Sequence, residues 1–159
     1  MKDESKDKVI FTSGSLGDTA SSDVLVIHCS APEYQAHFQD FCEEYLAGKS
    51  FSRIAVPGGP QFLVAASLFP KFEWAGRRWT RFLVEKKNIK EIVCIMHEDC
   101  SWYHGAIFEK ISADIMKQRQ TEDLKKIRAT LKDALKGVAV KLVYASPSFG
   151  GCVEFCEIG

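Results

Sequence analysis

The sequence lacks a long apolar run. Nothing in its 159 residues approaches the roughly 18 consecutive apolar positions that a membrane-spanning helix needs. It lacks a surplus of either charge, with 21 Lys and Arg against 21 Asp and Glu. A general nucleic-acid binder shows a basic excess, as does a polybasic membrane-surface protein, so neither nucleic acid nor membrane is an expected partner. It lacks any Cys-x-x-Cys pair, which leaves a thioredoxin-type redox site without support. The charged start, Met1 to Lys8, has no apolar segment behind it. That argues against an export signal and for a cytoplasmic location. The six cysteines, Cys29, Cys42, Cys94, Cys100, Cys152 and Cys156, then read as metal ligands or buried residues rather than a disulfide framework. No internal repeat and no low-complexity tract is found.

What is present is a globular composition, 46% hydrophobic, in a chain of single-domain length. Residues 1–22 are polar and read as an N-terminal tail or arm, with Val9-Ile10-Phe11 as its one apolar patch. Residues 23–159 read as a single domain. Val24 to Ile27 and Ile92 to Met96 are short apolar runs rich in β-branched residues, the pattern of strands buried on both faces, and Ile54 to Val56 and Val138 to Tyr144 read as two further strands. Cys152 to Ile158 reads as a fifth strand at an edge. Tyr34, Phe38, Phe41 and Tyr45 recur at helical spacing after Pro32, with Gly48 as a stop. Glu73 to Lys87 reads as a helix with Trp74, Phe82 and Leu83 facing inward. A longer helical stretch runs from about Ala106 to Lys136, with a break expected near Gln120-Thr121. Strands alternating with helices predict an α/β fold, a mostly parallel sheet of four or five strands flanked by helices. Such sheets hold ligands beyond the carboxyl ends of their strands.

Two strands end in metal-ligand chemistry. Val24 to Ile27 is followed by His28-Cys29, and Ile92 to Met96 by His97-Glu98-Asp99-Cys100. If the strands are parallel neighbours, Cys29, His97 and Cys100 converge. Two thiolates and an imidazole suit Zn2+ and leave the fourth tetrahedral position open, the arrangement of catalytic zinc; iron or cobalt would also accept two thiolates. The same residues also read as plain core, because cysteine is among the most buried residue types. His28 points to the other side of the strand from Cys29 and reads as a packed or hydrogen-bonded residue. Cys42 and Cys94 read as core.

Two other motifs fail for want of one residue type. His28-Cys29 is like the start of a cysteine-phosphatase loop, but Gln35 stands where that loop needs arginine. Gly58-Gly59 is followed by no Lys-Ser/Thr, so it is no phosphate loop.

Over about Asp23 to Ile158 the chain resembles the β-class carbonic anhydrases. That family carries Cys-x-Asp-x-Arg after its first sheet strand and His-x-x-Cys after a later one; here the segments are Cys29-Ser30-Ala31-Pro32-Glu33 and His97-Glu98-Asp99-Cys100. The resemblance implies that Cys29, His97 and Cys100 are zinc ligands. The implied activity is attack of zinc-bound hydroxide on CO2 or a related small electrophile, with bicarbonate as product, and the implied assembly is a homodimer or higher homo-oligomer. The aromatic residues Phe38, Phe62, Phe69, Phe72, Trp74 and Trp79 fit such an interface or an ordinary core.

The departures are as informative. The aspartate and arginine positions of the family motif are Ala31 and Glu33. Exchanging that pair for alanine and glutamate makes the pocket more negative by one charge, which weakens anion binding. Ser101 stands where the family usually has glycine. Glu33 is the candidate replacement acid–base group or a fourth zinc ligand; it also reads as an acidic residue favoured by the start of a helix. Asp99 could orient a ligand and His104 could carry protons; both also read as loop residues. Loss of the Asp and Arg pair supports a second expectation, a zinc-binding pseudoenzyme with a structural or partner-binding role.

Overall fold

The computed structural model describes residues 9–15, 21–107 and 111–159. The expected arm, 1–22, therefore falls largely outside the described residues. Five strands form one sheet in the order β2-β1-β3-β4-β5. They are β1 (Val24–Cys29), β2 (Phe51–Val56), β3 (Glu91–His97), β4 (Ala139–Pro147) and β5 (Val153–Glu157). The pairs β1–β2, β1–β3 and β3–β4 are parallel, and β5 runs antiparallel along β4 at the edge. The α/β class, the mostly parallel sheet and the edge strand agree with the reading of the sequence. β1 is buried along its whole length, as a central strand covered on both faces must be.

The faces are covered by α1 (Gln35–Asp40), α2 (Pro70–Lys87) and α3 (Ala113–Ala134). On one side Leu25, Ile27, Cys94 and Met96 pack with Phe62, Val84 and the inner face of α3. On the other, Val24, Val26, Val93 and Ile95 pack with Tyr34, Phe38 and Phe41. Cys42 and Cys94 are buried in these cores, while Cys152 and Cys156 are exposed.

Three local expectations are corrected. Trp74 and Phe82 do not face inward; they are 66% and 57% exposed. The inner face of α2 is Gly76, Thr80 and Val84, with Leu83 partly buried against the core. A β-carbon at Gly76 would collide with the Phe62 ring, so the helix docks through its smallest residue and the large aromatics are left outside. Tyr45 is also exposed. The chain after α1 continues as a π turn, Phe41–Tyr45, which departs from the 3.6-residue period and sets Tyr45 outside, stacked on Phe41. Finally, α3 begins at its Ser112 cap and runs unbroken to Ala134. Its buried stripe is Met116, Gln120, Leu124, Ile127 and Leu131. Gln120 and Thr121 are accommodated because each makes a hydrogen bond, Gln120 to the His97 carbonyl and Thr121 to the Lys117 carbonyl one turn back.

No helix among the described residues is long and apolar enough to cross a membrane.

Candidate metal centre

At the carboxyl ends of the two central strands the two cores meet, and three ligand-bearing side chains come together there. Cys29 is the last residue of β1 and belongs to the α3 side of the sheet. His97 ends β3 and lies against Tyr34 on the other side, with ring centroids 4.2 Å apart. Cys100 follows after a tight turn in which Asp99 takes a left-handed φ of 55°. The two Sγ atoms are 3.8 Å apart. One ligand atom from each of Cys29, His97 and Cys100 lies within 4.8 Å of the others, and all three residues are buried.

The imidazole is prepared for a cation. His97 Nδ1 is 2.8 Å from the Glu98 carbonyl. A carbonyl only accepts, so Nδ1 carries the proton and Nε2 presents its lone pair. That Nε2 is buried and has no hydrogen-bond partner. A second anchored hydrogen bond on a ligating imidazole, fixing tautomer and ring orientation, is the usual support of a metal-bound histidine. From behind, Gln120 donates to the His97 carbonyl at 3.0 Å.

The thiols are prepared as well. The hydrogen bond from Cys100 holds the Cys29 thiol well below its usual range, and proximity to His97 adds to this against the opposing effect of burial. The same bond and burial push Cys100 up. The two thiols are thus set apart by their shared hydrogen bond, and a divalent cation bound there would displace their protons. Cys94, two strand positions from Met96 on β3, is buried without such a partner and is pushed up to about 12 by burial alone. Burial by itself makes an inert thiol; the neighbour makes a ligand. The donor set of two sulfurs and one nitrogen fits zinc.

Two backbone features hold the geometry. Gln35 Nε2 donates to the carbonyls of Cys29 and Ala31, at 3.0 and 2.8 Å, tying down the turn after β1. Gly59, at a φ of 56°, lies against the ends of both central strands: a β-carbon there would stand 3.0 Å from the Cys29 nitrogen and 3.2 Å from the Ile95 oxygen. Only a residue without a side chain lets the 57–60 loop approach so closely.

Cys29 opens onto a cleft of about 330 Å³ lined also by Pro57, Trp102, Ser101 and Glu33. Glu33 lies in the short 3-10 turn Pro32–Tyr34 and is exposed. Asp99 and His104 meet each other, Oδ1 to Nε2 at 2.8 Å, and the partner of His97 Nδ1 is the Glu98 backbone. His28 packs on Phe38 on the side away from Cys29, its Nδ1 donating to the Cys29 carbonyl. The sequence does not single out Trp102; it presents Tyr34 only as part of a helical face and Gln120 only as a helix break. Gln120 had a signal: it is the polar member of an otherwise apolar helical stripe.

An α/β sheet carrying a buried two-thiolate, one-imidazole cluster at its carboxyl edge defines a class of candidate metalloprotein. No family model and no curated protein matches the sequence. Among solved structures the chain is similar to a β-carbonic anhydrase from the filamentous ascomycete Sordaria macrospora, described as tetrameric, at 12% identity and a TM-score of 0.57 over 87% of this chain and 83% of that one. β-Carbonic anhydrases from Trichomonas vaginalis (isoform I; 11% identity, TM-score 0.48, 93% and 89% coverage) and Aspergillus fumigatus (CafA; 12%, 0.46, 85% and 75%) also match. The fold is that of the β-carbonic anhydrases.

Proposed function

We propose that this chain is a zinc protein of β-carbonic-anhydrase type, held together at its site by Cys29, His97 and Cys100, and that it acts on CO2 or a related small electrophile. The observation that carries the reading is the convergence of two sulfurs and an unpartnered, buried imidazole nitrogen within 4.8 Å. When bound, zinc in a three-ligand set of this kind supplies an open Lewis-acidic position and hydroxide at neutral pH. The chain's own residues do the rest. The Glu98 carbonyl and Gln120 keep the His97 ring and backbone in position. Pro57 and Trp102 give the cleft an apolar wall suited to an uncharged molecule. Glu33, at the side of the cleft, is the carboxylate available to exchange protons with solvent. Homo-oligomeric assembly and a cytoplasmic location complete the proposal. The tetrameric assembly of the Sordaria protein and the exposed Phe72, Trp79 and Phe82 of α2 support the first.

A second reading rests on the motif resemblance, by which Ala31 and Glu33 stand where the family carries Asp and Arg. In that reading the metal holds the fold or a partner and no turnover occurs. Stopped-flow CO2 hydration separates the two, on protein carrying close to one zinc per chain with Cys29→Ser as control. Turnover above background that is lost in the control is the expected result. No turnover with zinc in place overturns the catalytic reading and leaves the pseudoenzyme.

A further inference from the structure

We propose that Glu33 is a specificity-determining residue that selects neutral ligands over anions at the metal position; the proposal rests on the metal reading above. Of the residues that line the cleft over Cys29, Glu33 is the one carboxylate, and no lysine or arginine lines it. Among the described residues no cation pairs with Glu33. Its negative charge is therefore not cancelled locally. The lining also includes the apolar Ala31, Pro32, Pro57 and Trp102. Pro57 and Trp102 also wall a neighbouring cavity of about 110 Å³ lined by Phe62, Phe69, Phe72 and Trp79. Low-dielectric walls focus the field of a charge placed between them.

An anion entering the cleft that Glu33 and Cys29 share meets uncompensated repulsion; a neutral molecule does not. The carboxylate is exposed, so water and salt screen it, and the effect is one of selection rather than exclusion: about three- to tenfold in anion affinity at low salt. Applied to a hydration reaction, the same repulsion spares the uncharged substrate and speeds departure of an anionic product. Ala31, which lines the same cleft, carries no charge to oppose it.

The test uses Co2+ as the metal, since its visible bands and thiolate-to-cobalt charge transfer report the site without any turnover. Wild type, Glu33→Gln and Glu33→Lys are loaded with cobalt. Each is titrated with thiocyanate, an anion, and with imidazole at a pH where it is neutral. The expected result is tighter thiocyanate binding by about three- to tenfold in Glu33→Gln and by more in Glu33→Lys. Imidazole affinity stays level, and the thiocyanate differences shrink as salt is raised. Equal thiocyanate affinities in all three proteins overturn the proposal while leaving the metal reading intact. A fall in cobalt affinity in Glu33→Gln overturns it too, because Glu33 would then be a ligand and not a screen. Absence of a thiolate-to-cobalt band in the wild type overturns the metal reading and this proposal with it.

Discussion

At the amino ends of the strands, the Asp23 carboxylate accepts from both the backbone and the hydroxyl of Ser50, and Lys49 pairs with Glu91. Backbone bonds from Ser22 to Lys87, Lys90 to Asp23 and Ala139 to Lys90 stitch the entering segments together. At the carboxyl ends the pattern reverses. The buried side-chain atoms left without a partner among the described residues are His28 Nε2, His97 Nε2, His104 Nδ1, Gln120 Oε1 and Tyr144 Oη. His28 and His97 lie at the ends of β1 and β3, His104 in the segment after β3, Gln120 reaches there from α3, and Tyr144 stands on β4 opposite Met96, the residue before His97. Each unmet buried group costs about 1–3 kcal/mol, and native proteins keep few of them. Their concentration at one end separates a finished end of the sheet, which serves stability, from an unfinished one shaped to receive a ligand.

That contrast is broken most forcefully at the finished end. Ile89, buried between the end of α2 and the start of β3, precedes β3 at the end opposite His97. Ile89→Ala should cost about 2–5 kcal/mol of stability, read by denaturant unfolding, while zinc affinity in the folded protein stays at the wild-type value. A loss of zinc affinity comparable to the loss of stability would mean that the two ends are one cooperative unit and not two regions with separate duties.

Next in size is the effect of finishing the open end. Zinc at a hundredfold above its dissociation constant should raise wild-type stability by about 2.7 kcal/mol, with a matching rise in Tm. Cys29→Ser should show no such gain, and its stability without metal should stay close to that of the metal-free wild type. A Cys29→Ser protein that unfolds outright without metal would place Cys29 in the core rather than in a site.

How far this contrast was legible beforehand depends on the kind of signal. The buried strands β1 and β3 and their alternation with helices were readable because a parallel sheet covered on both faces imposes continuous apolar runs; β2, at the sheet edge, is only partly buried. The convergence of Cys29, His97 and Cys100 followed from one topological assumption, that β1 and β3 are parallel neighbours, and the sheet order satisfies it. What periodicity misjudged was helix orientation. Trp74 and Phe82 looked like core because they are large and apolar, but docking of α2 is decided by the space at Gly76 opposite Phe62, which no pattern of hydrophobicity encodes. Gln120 was misread for the complementary reason. A polar residue in an apolar stripe suggests a helix break until its partner, a backbone carbonyl 23 residues earlier in the chain, is known. Glu33, Asp99 and His104 were visible as residues and not as geometry; their roles depend on side-chain directions that the spacing leaves free.

The smallest predicted effect lies at the open end and concerns pH. His28 is buried against Phe38, and desolvation holds its imidazole below the usual histidine range. The unfolded chain therefore binds a proton at higher pH than the native one. The stability that neutral His28 contributes is complete above its unfolded pKa of about 6.5 and is lost as the pH falls from there through the folded value. His28→Gln keeps a side-chain donor for the Cys29 carbonyl without a titrating group. In metal-free protein, unfolding free energy measured between pH 7 and 5 should fall more steeply for wild type than for His28→Gln. Identical slopes would mean that His28 is protonated in the native state at little cost, through an acceptor for its second nitrogen, and would move that residue from the unfinished end of the sheet to the finished one.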